Sequence, residues 1–366
     1  MISQATRVAA TAALTCVAAI AAAQERPART PQTDRTVAVA KGTRLSVGND
    51  AGEVVLRTWD KDALRVQASH NARTTVEIQT TGNIMSVRSR STGGPMGAVD
   101  YEITAPAWLP VKVGGQFIYI GIEGVQNEVS AETVRGDIVI KGGSGIVTAK
   151  SVQGEVIVED AKGRINASSI NEGVRISGAV GDITAETTNG DISLTKVDAK
   201  SIDVTTVNGD IHYEGPITAG GPFRLSTHNG DITMILPENT NATFTVRTYN
   251  GDFSSNLATK TVGEVRRGRR ATYTMGTGSA EVELESFGGT IRLRRPGTVP
   301  PPRGRNRDKH PLEAPAAHRH ESPADDQSVR SAVIGSTCAA RAAGVAAATT
   351  AVSVSTVATV AKVIGS

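Results

Sequence analysis

The sequence predicts an all-β protein, a β-solenoid of about nine two-strand coils closed at its N-terminal end by an antiparallel β cap. Three observations predict it. A phrase of ten residues, apolar-x-apolar-x-Thr/Ser-x-Asn-Gly-Asp-apolar, returns in tandem with a period near twenty. Within each copy the apolar residues alternate with period two, as strands require and helices do not. And the same residue types recur at the same place in every copy, which suits stacked equivalents sharing one environment.

In chain order, residues 1–23 come first. They carry a single Arg7, an apolar run and the ending Ala21-Ala22-Ala23, the pattern of a cleavable secretory signal. Cys16 lies inside that run, so Cys338 is the one cysteine left after cleavage. No intramolecular disulfide or cysteine-based metal site is then expected.

Residues 35–110 alternate without the twenty-residue phrase, as in Leu45-x-Val47, Val54-x-Leu56 and Tyr101-x-Ile103. Polar turns are expected at Gly48-Asn49-Asp50, Asp60-Lys61-Asp62 and Gly93-Gly94-Pro95. A stack needs its first coil shielded from edge-to-edge pairing, and this segment is the candidate cap.

Residues 111–295 hold the array. Clean copies place Asn189-Gly190-Asp191, Asn208-Gly209-Asp210, Asn229-Gly230-Asp231 and Asn250-Gly251-Asp252 at one junction. Looser copies run through Gly136, Gly154 and Gly173, and a last one ends at Gly289, 38 residues after Gly251. One copy in that interval is therefore degenerate or interrupted. Asn and Gly tolerate positive φ, so the junction is expected to be a tight corner. The other junction varies in length and reads as a permissive loop face. An Asn-Gly pair between alternating runs is also a hairpin signal. A long antiparallel meander or a sandwich is therefore the alternative.

Residues 296–330 are rich in Pro, Arg and His without apolar periodicity, and read as a disordered linker. Residues 331–366 form an Ala/Val/Thr-rich tail. Its stretch 342–361 is uncharged and long enough to span a membrane, but lacks the Leu, Ile and Phe that drive insertion. Any membrane contact is assigned to this tail.

Gly52-Glu-Val-Val-Leu-Arg-Thr-Trp59-Asp60, Leu64-Arg65-Val66-Gln67-Ala68 and Val99-Asp100-Tyr101-Glu102-Ile103-Thr104-Ala105-Pro106 precede the tandem Asn-Gly-Asp-Ile units. Together they resemble the bacterial secreted β-strand-repeat family of unknown function that often bears the label adhesin. The resemblance spans residues 36–295. It implies an extracytoplasmic solenoid without an established catalytic activity. The chain departs from the pattern where Phe117-Ile118-Tyr119 stands at the expected Gly-Asp corner.

The chemistry the residues carry is modest. Asp191, Asp210, Asp231 and Asp252 form a ladder that could hold calcium between coils; the competing reading makes each a turn cap facing water. The calcium repeats known from nonapeptide β-helices space Gly and Asp differently. Arg266, Arg267, Arg269 and Arg270 could bind anions, or serve as a solvated strand edge. Only Tyr273 interleaves with the basic residues, so nucleic acid is not expected as a partner. Asp203 and Arg224 are candidates for outward positions, but no acid/base pair is singled out by spacing. His212 and His228 have no recurring Asp or Ser partner and read as surface or corner residues, and His318 and His320 lie in the linker. The expectation is a non-enzymatic, exported, adhesin-like scaffold without cofactor. It binds an envelope polymer, a surface or a protein through its face; in the alternative it assembles or self-associates through its ends, and a polysaccharide-active β-helix enzyme is the minor alternative.

Overall fold

The structure, a computed structural model, describes residues 32–94, 97–264 and 270–297. The chain divides into two units, Met1–Ala314 and Pro315–Ser366, and every described residue belongs to the first. The expectations for residues 1–23 and for most of 296–366 thus lie outside the described residues. No helix occurs among the described residues; all the regular structure is strand.

The array begins with a long strand. β1 (Thr33–Ala38) precedes β2 (Arg44–Trp59), which runs unbroken through the expected Gly48-Asn49-Asp50 turn. Asn49 is buried there and its Nδ2 donates to the Val99 carbonyl at 2.8 Å. A polar turn signal was in fact the bend of a coil. β3 (Ala63–Ser69), β4 (Thr74–Thr81), β5 (Ile84–Ser91) and β6 (Val99–Pro106) follow. The cap expected to be antiparallel is mixed. β1–β3, β3–β6 and β4–β5 are antiparallel, but β2 pairs in parallel with β5 and β6 on one side and with β7 (Val111–Glu123) on the other. β2 is therefore already a level of the stack, and only the strands outside it cap.

The repeats then supply a longer and a shorter strand per level: β8 (Val129–Arg135) and β9 (Ile138–Lys141), β10 (Ser144–Gln153) and β11 (Val156–Glu159), β12 (Lys162–Ser168) and β13 (Val174–Ser177). β14 (Val180–Asn189) and β15 (Ile192–Thr195), β16 (Asp198–Asn208) and β17 (Ile211–Glu214), and β18 (Phe223–Asn229) and β19 (Ile232–Ile235) continue. Each strand pairs in parallel with its equivalent one repeat away: Ile183 with Ile202, Asn189 with Asn208, Ile192 with Ile211. Parallel pairing rules out the meander, whose Asn-Gly hairpins would be antiparallel.

The core lies between the two strands of each level. Ile183, Ala185, Ile192 and Leu194 are at most 1% exposed, and so are their equivalents Ile202, Val204, Ile211 and Tyr213. Ala185, Val204 and Leu225 share a column, so it widens toward the C-terminal levels. Tyr213 and Phe223 fill the wider part edge-to-face, centroids 6.4 Å apart. At about 25 cal/mol per Å² of apolar surface removed from water, these columns are the dominant stabilising term.

The variable junction is not a loop face throughout. β10, β12, β14 and β16 extend back into it, and Ser144, Lys162, Val180 and Asp198 pair in sequence. Gly163 and Gly181 bend this added ladder at positive φ of 107° and 129°. It opens into longer loops beyond Glu214 and again beyond Ile235.

The interval of 38 residues has a topological answer. β20 (Ala242–Thr248) and β21 (Phe253–Ser255) do not stack on β18 and β19. The later β24 (Ala280–Ser286) and β25 (Ile291–Arg294) do, so Phe223 pairs with Val282 and Val282 pairs with Phe244. The last repeat of the chain is thus inserted beneath the one before it. Between them come β22 (Lys260–Glu264) and β23 (Arg270–Met275), and β23 closes the outer edge of β20 antiparallel. Ile291, which chain order alone would place in the terminal coil, is sandwiched between Ile232 and Phe253 and fully buried.

Candidate functional site: the Asn-Gly-Asp corner and the outer face beside it

Alternation along the longer strand decides which residues reach the surface. In β16, Ile202, Val204 and Thr206 point inward; Asp203, Thr205 and Val207 point out. The corner follows at Asn208-Gly209-Asp210. It is not the positive-φ turn expected from its residues: Asn189, Asn208, Asn229 and Asn250 all have negative φ, and Gly190, Gly209, Gly230 and Gly251 lie outside the left-handed region. Glycine is required there for closeness. A Cβ on Gly209 would stand 1.9 Å from the Gly190 carbonyl oxygen of the level before.

Three side-chain ladders surround this contact. The buried Thr/Ser of successive levels donates its hydroxyl back to the preceding corner: Ser151 to the Gly136 carbonyl at 3.0 Å, Thr206 to Gly190 at 3.1 Å, Thr227 to Gly209 at 2.9 Å, Ser286 to Gly230 at 2.9 Å. The exposed Asn side chains form an amide ladder in which Asn208 Nδ2 donates to Asn189 Oδ1 at 2.9 Å, and Asn229 Nδ2 to Asn208 Oδ1 at 2.8 Å. The Asp side chains accept backbone amides: Asp210 N–H donates to Asp191 Oδ1 at 2.9 Å, Asp231 N–H to Asp210 Oδ1 at 2.8 Å, Thr290 N–H to Asp231 Oδ1 at 2.7 Å. Each carboxylate therefore satisfies an amide that the corner turns away from the strand ladder, a role open to the Glu155 level through Asp137 as well.

Asp231 is more heavily engaged than its neighbours. Burial pushes its carboxyl up, but hydrogen bonds from Arg292 and the Thr290 amide outweigh burial and hold it below the usual range. Glu155 pairs likewise with Arg175 one level on, at 3.1 Å. Among the described residues no group of three or more His, Cys, Asp or Glu is arranged to hold a metal.

His212, expected at the surface or the corner, is instead buried within β17, and its Nε2 has no hydrogen-bond partner; burial lowers its pKa and Glu214 opposes that shift. His228 is exposed and stacks on Phe287, centroids 4.7 Å apart and planes 9° from parallel. Asp203 and Arg224 are outward on adjacent levels, and Arg224 pairs with Glu283 at 2.9 Å. Of the arginine cluster, Arg270 opens β23 opposite Arg247; Arg266, Arg267 and Arg269 lie outside the described residues.

One surface feature escapes sequence reasoning. The outward position between the Thr/Ser and Asn ladders is occupied, level by level, by Val134, Val152, Ile170, Thr188, Val207, His228, Phe287 and Tyr249. Val134, Ile170, Phe287 and Tyr249 are 41–47% exposed. Near Gly114, which has no side chain, Val134, Val152 and Ile170 line a shallow open groove whose other wall is Glu132 and Lys150. The signal was present as the single unassigned "x" before each Asn, but alternation alone predicts polar residues there.

A parallel stack of strand pairs, cornered by Gly and laced by Thr, Asn and Asp, defines this protein as a β-solenoid repeat scaffold. It belongs to the Toastrack DUF4097 family, whose family model matches residues 43–294. No curated protein matches the chain. Solved structures similar to it include the following three. One, described as a "putative cell adhesion protein" of Clostridium sporogenes, is 12% identical over 72% of this chain and 99% of its own, with a TM-score of 0.19. Two come from Parabacteroides distasonis: a "putative lipid binding protein" (11% identical, 71% and 96% covered, TM-score 0.36) and a "putative adhesin" (13%, 71% and 96%, 0.31). TM-scores this low lend no weight to a functional reading.

Proposed function

We propose that the protein is an exported, non-catalytic scaffold that binds an extended polymer or partner surface along the outer face of its longer strands. The observation that supports this is the outward column of Val134, Val152, Ile170, Val207, Phe287 and Tyr249. Folding does not require apolar residues at these positions, which Thr188 and His228 also fill. A stripe of apolar and aromatic side chains flanked by amides suits a ligand with alternating apolar and hydroxyl or amide surfaces.

A binding role also fits the titratable groups. Tyr101, Tyr119 and Tyr213 are raised first of all by burial, the first two to about 12. Asp34 and Asp62 are lowered by hydrogen bonds from Arg65 and from Trp108 and Lys41. These are shifts of packing and pairing, and among the described residues they bring no acid and base together on a cavity.

The test is pull-down of the purified chain on isolated cell envelopes, insoluble polysaccharide and lipid vesicles. Ile170→Lys and Val134→Lys are expected to weaken retention at least tenfold with an unchanged melting temperature. Retention unaltered by both substitutions would overturn the reading.

A further inference from the structure

The two ends of the stack are finished differently. At the C-terminal end β21 has only three residues, and β22 carries Lys260 and a register irregularity between Thr261 and Gly263. These are devices that blunt an edge. At the N-terminal end β1 presents Asp34 and Arg35. β4, by contrast, is eight residues long, pairs with β5 without irregularity, and holds one charge, Glu77, which is already paired with Arg90 at 3.6 Å. Among the described residues β5 is the one strand that pairs with β4, and the outer side of β4 is left open.

The direction of its backbone groups follows from two bonds. Thr92 N–H donates to the Arg73 carbonyl at 2.8 Å, while Thr74 N–H turns away to the Asn71 carbonyl at 3.1 Å. Alternate residues of an antiparallel pair address the partner strand. Thr75, Glu77, Gln79 and Thr81 thus address β5, and Val76, Ile78 and Thr80 present their N–H and C=O groups outward. The side chains of Val76 and Ile78 meanwhile pack toward the end of the core.

We propose that this edge is a homodimer interface, in which two copies pair β4 antiparallel about a two-fold axis with Ile78 facing its own counterpart. Only like faces can be matched, so even-numbered residues must oppose even-numbered ones. Setting Val76 opposite Ile78 places the two Glu77 carboxylates face to face, which is unfavourable. Setting Val76 opposite itself leaves Thr80 beyond the end of the second strand. With Ile78 opposite itself, Val76 faces Thr80 and Glu77 faces Gln79. Every free outward N–H of β4 then finds a carbonyl, since Thr74 N–H is already taken by Asn71. The pairing is isologous and self-limiting, so it yields a dimer and no fibre.

The interface is independent of the outer-face reading, because it uses none of the residues substituted there. Sedimentation equilibrium of the purified full chain, in a Cys16→Ser, Cys338→Ser background, is expected to show a dimer. Thr80→Pro removes an outward N–H and is expected to weaken dimerisation at least tenfold with little change in melting temperature. Gln79→Pro removes a bond to β5 and should instead lower the melting temperature. Mixing Glu77→Cys with Gln79→Cys chains should give crosslinked heterodimers faster than either alone. A monomer up to about 100 µM, well into the range of weak association, would sink the proposal. So would a dimer untouched by Thr80→Pro, or Glu77→Cys chains that crosslink to themselves as fast as the mixture does.

Discussion

The hydroxyl of Thr206 donates at 3.1 Å to the carbonyl of Gly190, one level away, and that same carbonyl oxygen sits where a Cβ on Gly209 would have to go. The Thr and the Gly of the repeat phrase are thus two halves of one contact. Gly lets the levels approach, and Thr satisfies the carbonyl that the approach buries. Thr206→Val keeps the shape and removes the donor. It is expected to cost about 1–3 kcal/mol, the range for leaving a buried acceptor unpaired, while Thr206→Ser stays near wild type. Denaturant titration of the three proteins checks this.

The glycine side of the contact gives a sharper contrast. Gly209→Ala forces backbone against backbone and is expected to cost about 3 kcal/mol or more. Gly114→Ala, on the outer face with nothing within 4 Å of the added methyl and no positive φ, should lie within about 1 kcal/mol of wild type, on either side. Equal losses in thermal melts of the two variants would refute the steric account.

How much of this was legible in the sequence follows from how a stack works. Ile202, Thr206, Asn208 and Gly209 recur because each level meets the same neighbours, so the phrase announces parallel stacking. What recurs cannot announce order. Val282 and Phe244 fit the same apolar position equally well, and nothing in a ten-residue phrase says that β24 slips between β18 and β20. Asn49 misled for a related reason: Gly-Asn-Asp carries the same residue types in a surface turn as in a coil bend. The Asp ladder was visible as residues but not as chemistry, because its partners are backbone amides, which are present at every position.

His212 makes the fold sensitive to mild acid. Its folded pKa is depressed from the ordinary 6.5 by burial, so the unfolded chain takes up a proton before the folded one does. The stability it contributes is therefore complete above pH 6.5 and is lost as pH falls through that value toward the lower folded pKa. His212→Ser, which copies Ser193 one level away, is expected to flatten the melting temperature between about pH 7 and pH 5. An unchanged slope would show that His212 is not the titrating group.

Asp231 titrates lower, and with its own sign. Its folded pKa is below the ordinary 3.8, so its contribution is present above that value and fades as pH falls through the folded pKa. At neutral pH Asp231→Asn loses the ion pair with Arg292 but keeps an acceptor for Thr290 N–H. Since the pair is about a third exposed, a loss of only about 1 kcal/mol is expected. The gap between wild type and variant should close as the buffer is taken from pH 5 toward pH 3; a constant gap would mean the charge plays no part.

Calcium is the remaining question for the Asp ladder. A cation between levels would need free oxygens from successive carboxylates, yet one oxygen each of Asp191, Asp210 and Asp231 is turned onto the amide of the next level, and Asp231 gives its other to Arg292. Hard cations bind through six to eight oxygens, and drawing these carboxylates outward would strand the amides they satisfy. The melting temperature is therefore expected to be indifferent to millimolar calcium and to chelator. Asp210→Asn, which keeps an acceptor for the Asp231 amide, should lose little, and Asp210→Ala about 1 kcal/mol. A calcium-dependent rise in melting temperature that disappears in Asp210→Asn would reverse this, making the corner a metal ladder whose amide bonds are only its empty-state arrangement.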